Sequence, residues 1–162
     1  MNDNRRVTIA PVRKSIRVAA PQAHAFEVFT AGLDRWWPKS HHLGASAVKL
    51  LTIEPWIGGR WYELGEDGTE TTVGHILVWE PPSRFVVTWE ISSQWKSDPG
   101  RGSEVELRFV AEGEDNTLVE LEHRLFERMG AEHGTVMHDA VDRGWPQILQ
   151  LLKEEAENQR RG

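Results

Sequence analysis

The chain has 162 residues, a length that fits one domain with one ordinary core. We expect that domain over 12–158, between a flexible N-terminal segment, 1–11, and a flexible tail, 159–162. The 25 acidic and 19 basic residues give a formal net charge of −6, which argues against nucleic acid and anionic membranes as partners. The absence of cysteine excludes disulfides, thiol nucleophiles and cysteine-ligated metal sites. Because the chain shows neither a secretory signal nor a membrane-spanning run, we expect a cytoplasmic protein.

The first part of the chain predicts one strand followed by short helices. Apolar and polar residues mostly alternate along Val12–Val18, which is typical of a half-buried strand. Pro21 suits the first turn of a helix, and apolar residues then recur at three- and four-residue spacing until Gly32 and Pro38. Two short helices or one broken helix would fit this segment.

Six further strands are predicted in direct succession, joined by turns rich in glycine, proline and acidic residues. They are Val48–Glu54, Arg60–Leu64, Glu70–Trp79, Phe85–Ile91, Glu104–Val110 and Thr117–Leu125. Strands that follow one another without crossover helices indicate an antiparallel sheet.

The last segment, from about Gly134 to Glu157, has the period of one long helix. Met137, Val141 and Trp145 lie on its apolar stripe, and Pro146 predicts a kink. Helices at both ends of a run of strands indicate an α+β fold, in which a strongly curved antiparallel sheet of six or seven strands wraps around the C-terminal helix. Such a geometry leaves a space between sheet and helix.

The composition is unusual in its aromatic residues, with eight tryptophans and a single tyrosine. Each buried indole adds about 150–250 Å² of contact area and one N–H that needs an acceptor. So much tryptophan indicates either a large packed core or the walls of a cavity.

A set of glycines, prolines and tryptophans in fixed order marks the turns and the core positions. It comprises Trp36-Trp37, Pro55, Gly58-Gly59, Trp61, Glu63, Asp67-Gly68, Gly74, Pro81-Pro82, Arg84-Phe85, Thr88-Trp89, Gly144-Trp145, Leu149 and Leu152. In this set the chain resembles the activator of heat shock protein 90 ATPase-like family, part of the SRPBCC or START-like superfamily. The resemblance covers nearly the whole chain. It implies a helix-grip fold with a hydrophobic cavity, apolar or aromatic ligands in most members, and cyclase or aromatase activity in some relatives.

Three histidine positions have an orientation that matters for such a cavity. His123 shares a strand face with buried positions, so its imidazole is expected to point toward the final helix, as a polar group of the cavity or as a satisfied core histidine. The direction of His75 stays open, because Gly74 could introduce a bulge and reverse the faces of its strand. His41-His42 lies in a polar loop, either at a pocket rim or solvated.

The other polar groups define no catalytic or metal site. His138 and Asp142 lie four residues apart on a helix but lack a third ligand, so no metal is expected. Glu90 is predicted on the solvent face and Glu63 beside a turn, which leaves no acid–base pair and no catalytic residue to name. A phosphate loop and a dinucleotide fingerprint are also missing from the sequence, and no cofactor is expected.

These observations favour non-catalytic binding of a small apolar or aromatic molecule in a cavity of about 300 Å³ or more. The expected ligand-binding residues are Trp37, Trp61, Trp89, His123, Met137, Val141 and Trp145. One alternative is a cyclase-like or aromatase-like enzyme that uses His123 for proton transfer in the same cavity. Another is a protein-interaction module, either chaperone-associated or a homodimer that pairs through Trp95 in the loop Ser92–Gly102.

Overall fold

The structure, a computed structural model, describes residues 8–41, 43–100 and 102–161, with 160 and 161 as backbone only. Most of the N-terminal segment 1–11 therefore lies outside the described residues, as do His42, Arg101 and Gly162.

Seven strands and three helices form the described part of the chain. In order they are β1 Val12–Val18, α1 Gln22–Phe29, α2 Leu33–Trp36, β2 Val48–Ile53, β3 Arg60–Gly65, β4 Glu70–Glu80, β5 Arg84–Trp89, β6 Ser103–Ala111, β7 Thr117–Arg124 and α3 Ala131–Arg161. A short 3₁₀ helix, Phe126–Met129, links β7 to α3.

The strands form one antiparallel sheet in the order β1-β7-β6-β5-β4-β3-β2. Only the first strand is out of sequence order, because it pairs with the last one. The sheet curls into a half-barrel around α3, and the two short helices follow β1. The α+β fold expected from the sequence is confirmed.

The helix α3 is longer than its apolar stripe predicted. It begins at Ala131 rather than near Gly134, and Pro146 lies inside it. The helix begins after Gly130, whose positive φ of 89° ends the preceding 3₁₀ helix. Because the first turn contributes little to the apolar stripe, periodicity alone could not locate it.

Strand β4 bends because its register shifts twice. Against β3 the shift falls between Trp61 and Tyr62, and against β5 it falls between Ile76 and Val78. Between these points Gly74 lies so close to β5 that an added Cβ would overlap the carbonyl oxygen of Thr88. A glycine is therefore required where the sheet curls most tightly.

Helix α1 packs on the concave face of the sheet through two phenylalanines. The ring of Phe26 lies 5.2 Å from that of Phe109 and 5.9 Å from that of Phe85, and Phe29 lies 5.5 Å from Phe85. All four rings are at most 5% exposed. We call Phe26, Phe29, Phe85 and Phe109 the phenylalanine cluster; it fills one half of the concave side.

Candidate ligand-binding pocket

The other half of the concave side holds a pocket of about 360 Å³ that is partly open to solvent. Five tryptophans line it, each from a different part of the fold: Trp37, Trp61, Trp89, Trp95 and Trp145. Aliphatic groups of β2, β4 and α3 complete the walls, including Val141 and Ile148. A concave, mostly apolar space with few polar groups has the general character of a small-molecule site.

Four of these indoles form a closed ring of contacts, which we call the four-indole wall. Ring centroids lie 5.0 Å apart for Trp37 and Trp61 and 5.7 Å apart for Trp61 and Trp89. The circuit closes at 5.6 Å between Trp89 and Trp145 and at 6.0 Å between Trp37 and Trp145. Three of these pairs, at interplanar angles of 73–86°, present edges to faces, the geometry that aromatic quadrupoles favour, and the pair of Trp89 and Trp145 is tilted at 57°.

Trp37 reaches the pocket because α2 is tied down on both sides. The indole N–H of Trp36 donates to the carbonyl of Val28 at 2.8 Å, which fixes α2 against α1. A carboxylate oxygen of Asp34 accepts the backbone N–H of Leu51 at 2.9 Å, which fixes α2 against β2. The helix ends at Trp36, and Trp37 in extended conformation follows it into the pocket wall.

Trp145 is held in place by a histidine behind it. Its indole N–H donates to Nδ1 of His123 at 3.1 Å, and Oγ of Ser103 lies 2.7 Å from Nε2 of the same ring. Burial, with a smaller contribution from His138, lowers the pKa of His123 from 6.5 to about 3. The neutral ring accepts at Nδ1, so Nε2 carries the proton and donates to Ser103.

His123 and Met137, which the sequence predicts as ligand-binding residues, lie outside the lining of the pocket. Both side chains are completely buried, and neither borders the pocket. The ring of Phe126 stacks on His123 at 4.6 Å and Trp145 stands between His123 and the cavity, so this histidine is a satisfied core group. The other five predicted residues border the pocket: Trp37, Trp61, Trp89, Val141 and Trp145.

Glu63 is the carboxylate of the pocket wall, although the sequence analysis assigned it no role. Only 3% of the residue is exposed, and one carboxylate oxygen, Oε1, accepts the backbone N–H of Leu43 at 2.7 Å and that of Gly44. Alternation along β3 was a usable signal, because a residue two positions after Trp61 must lie on the same face of the strand.

The remaining polar groups of the pocket lie at its mouth. Ser40 and His41 border it from the segment after α2. Trp95 borders it from the opposite loop, 45% exposed and with a positive φ of 60°. A positive φ is uncommon for so bulky a residue, and here a hydrogen bond from Trp95 N–H to the carbonyl of Ser92 holds the turn.

Glu90 lies on the outer face, as predicted, but it is not exposed to solvent, because the loop after β5 folds back over that face. The N–H of Asp98 donates to the Glu90 carbonyl at 2.8 Å, and Glu90 is 6% exposed. Its carboxylate lies 2.7 Å from Nδ1 of His75 and accepts from Thr88. Burial acts to raise the pKa of Glu90, but these hydrogen bonds outweigh it and lower the pKa. His75 thus points to the outer face, away from the pocket.

His138 and Asp142, four residues apart on α3, each interact with a different side chain. Nδ1 of His138 lies 2.9 Å from Asp139, and Asp142 pairs with Lys14 at 2.9 Å. Within the described ranges, no group of three or more histidine, aspartate or glutamate side chains is arranged to hold a metal ion. In the same part of the chain, no helix is long and apolar enough to cross a membrane.

A curled antiparallel sheet gripping a C-terminal helix, with a pocket between them, defines the class of small helix-grip domains. The chain belongs to the family of activator of Hsp90 ATPase homolog 1-like proteins, whose sequence profile matches residues 19–157. The expectation from the sequence motifs is confirmed.

Two solved structures share substantial sequence with the chain. An anthrahydroquino-gamma-pyrone synthase, complexed with SUM, is 45% identical, with a TM-score of 0.58 over 83% of this chain and 88% of that one. CalC from Micromonospora echinospora, a self-sacrificing resistance protein, is 34% identical, with a TM-score of 0.70 over 92% of this chain and 95% of that one. No protein with a curated functional description matches the chain significantly.

Proposed function

We propose that the protein binds a planar aromatic molecule of low molecular mass in the pocket bordered by the four-indole wall. The observation that carries the proposal is the convergence of four indoles, one directly after α2 and the others from β3, β5 and α3, on one space of about 360 Å³. Flat aromatic faces stack on indoles, and each 40 Å² of apolar surface removed from water contributes about 1 kcal/mol.

The relatives support the class of ligand. A 45%-identical protein of nearly the same extent is a synthase of an anthrahydroquino-gamma-pyrone, a name that denotes fused aromatic rings. The pocket here is wide enough for fused rings, and its described wall carries few polar groups.

The test is a titration with 2-methylnaphthalene, followed by quenching of tryptophan emission and by calorimetry. Saturable binding of one probe per chain is expected. Gly144 borders the pocket, and a Cβ built on it meets no atom within 4 Å, so the variant Gly144→Phe places a ring in the cavity. We expect this variant to weaken probe binding by about tenfold or more.

The matched control is Gln147→Phe, which adds the same ring to an exposed position of α3 outside the pocket. Its probe affinity should equal that of the wild type. Quenching that never saturates, or equal affinity in the Gly144→Phe variant, would contradict the proposal.

A ring-forming enzyme is the second candidate, and the specific observation in its favour is the synthase at 45% identity. His123 lies behind the wall and cannot serve it, but Glu63 and His41 both border the pocket. Incubating the protein with the substrate of that synthase and separating the products by chromatography distinguishes turnover from binding alone. The cytoplasmic location, the homodimer and the chaperone-associated role stay predictions.

A further inference from the structure

We propose that Glu63 receives a ligand hydroxyl, so that the pocket selects hydroxylated aromatic molecules over plain aromatic hydrocarbons. The inference rests on the proposed function and makes its ligand class more specific. It starts from the one carboxylate among the described residues that border the pocket.

The surroundings of Glu63 orient one oxygen away from the protein's own donors. Oε1 accepts both backbone N–H groups of the loop, from Leu43 and Gly44. Among the described residues no donor reaches Oε2, and no lysine, arginine or histidine forms an ion pair with this carboxylate. A carboxylate buried to this degree has accepting capacity left over, and the pocket is the space from which a donor can come.

The loop that binds Oε1 comes unusually close to β3. A Cβ built on Gly44 would lie 3.2 Å from Oγ1 of Thr71 and 3.3 Å from Oε1 of Glu63, so a larger residue would push the loop outward. The carboxylate is therefore fixed by backbone groups rather than by a flexible side chain. Fixed polar groups in an apolar wall set the orientation of a ligand.

A donor without a partner lies in the same wall. The indole N–H of Trp89 is buried and has no hydrogen-bond acceptor among the described residues. Trp61 is a neighbour of both Glu63 and Trp89. It precedes Glu63 by two positions on β3, and its ring lies 5.7 Å from that of Trp89. The indole nitrogen of Trp89 is fully buried and not open to the pocket, so the selection for a ligand hydroxyl rests on the carboxylate of Glu63.

A plain hydrocarbon leaves Oε2 of Glu63 without a partner. A buried polar group left unpaired costs about as much as the hydrogen bond it lacks, so the wall discriminates against ligands that bring no polar atoms. The discrimination depends on the acceptor character of Oε2, which a single substitution can reverse.

The variant is Glu63→Gln. Its amide oxygen can keep the two backbone bonds of the loop, which leaves an NH₂ group in the place of Oε2. An NH₂ group donates and cannot accept a hydroxyl proton. The matched control is Glu54→Gln, because Glu54 also accepts a backbone N–H, from Arg60, but does not border the pocket.

The experiment compares 2-naphthol with 2-methylnaphthalene, which differ by a hydroxyl in place of a methyl group. Calorimetry gives both Kd values for the wild type and the two variants, and the ratio of methylnaphthalene Kd to naphthol Kd cancels the common stacking contribution. We expect Glu63→Gln to lower this ratio about tenfold, because 2-naphthol loses the acceptor for its hydroxyl. Glu54→Gln should leave the ratio as it is in the wild type.

An unchanged ratio in Glu63→Gln, with both probes bound, overturns the role of Glu63 and leaves the proposed function standing. Failure of both probes to bind the wild type overturns the proposed function and this inference together. If the Glu63→Gln variant does not fold, the wild type decides with 2-methoxynaphthalene, which keeps the oxygen but cannot donate. It should bind more weakly than 2-naphthol, and equal or tighter binding overturns the inference.

Discussion

The phenylalanine cluster and the four-indole wall occupy the same concave face of one sheet, yet only the first is filled. Each phenylalanine ring meets at least two others, and α1 lies directly over them. The indoles meet one another only around a circuit, edge to face, and the centre of the pocket is left to solvent. Both halves lie under a helix, α1 over the phenylalanines and α3 over the indoles, but only beside α3 does a space remain.

Phe29 is the residue through which the two halves touch. Its ring lies 5.1 Å from Trp36 and 6.4 Å from Trp61, while its other neighbours belong to the phenylalanine cluster. The pocket wall thus rests on a packed core. This support explains how the indoles can stand at fixed angles beside an open space.

The largest expected effect follows from removing this support. Phe29→Ala should lower the free energy of unfolding by about 3–5 kcal/mol, because it leaves a void in a fully buried site. Urea denaturation measures the loss. Trp37→Ala, which enlarges an existing cavity, should cost less, and an equal or greater cost would show that the two halves are packed alike.

His123→Leu tests whether the histidine behind the wall is structural. The substitution leaves the buried hydroxyl of Ser103 and the indole N–H of Trp145 without their partner, at an expected cost of about 2–4 kcal/mol. Urea denaturation at neutral pH gives the value. A stable variant with altered preference among aromatic probes would contradict this prediction and show that His123 contributes to ligand selection.

The depressed pKa of His123 predicts that stability falls in mild acid. The unfolded chain binds a proton below pH 6.5, whereas the buried ring in the folded protein stays neutral down to about pH 3. The free energy of unfolding should therefore fall as the pH is lowered from 6.5 toward 3, by about 2 kcal/mol between pH 7.5 and pH 5. Urea midpoints should depend less on pH in His123→Leu, and parallel profiles would contradict the assignment.

The fold and the apolar part of the pocket could be predicted because both follow from local periodicity. Alternation in β5 and the stripe on α3 placed Trp89 and Trp145 on the inner side, where they are found. Periodicity gives the face of an element but not what covers that face. His123 faces inward as expected, and the ring of Phe126 covers it. Phe126 belongs to a short 3₁₀ helix that the sequence periodicity did not predict.

The segments that cover Glu90 and Glu63 also explain why the surroundings of these two carboxylates could not be predicted. Glu90 faces outward, as alternation predicts, but the loop after β5 returns over it through contacts that are distant from any repeat. Glu63 faces inward beside Trp61, and its importance follows only from the loop that binds its Oε1. In both cases the deciding contacts come from irregular segments, for which sequence patterns give little guidance.

The smallest expected change in stability concerns Trp95, which borders the pocket without belonging to the four-indole wall. Trp95→Ser should alter the free energy of unfolding by no more than about 0.5 kcal/mol, because the side chain is 45% exposed on a loop. Its ring borders the mouth of the pocket, so binding of 2-methylnaphthalene should weaken by about fivefold, as expected for some 40 Å² of lost apolar contact.

Sedimentation of the wild type and of Trp95→Ser at high concentration tests the predicted homodimer at the same residue. A shift toward monomer with unchanged probe affinity would make Trp95 an interface residue, whereas weaker binding with unchanged sedimentation would assign it to the pocket.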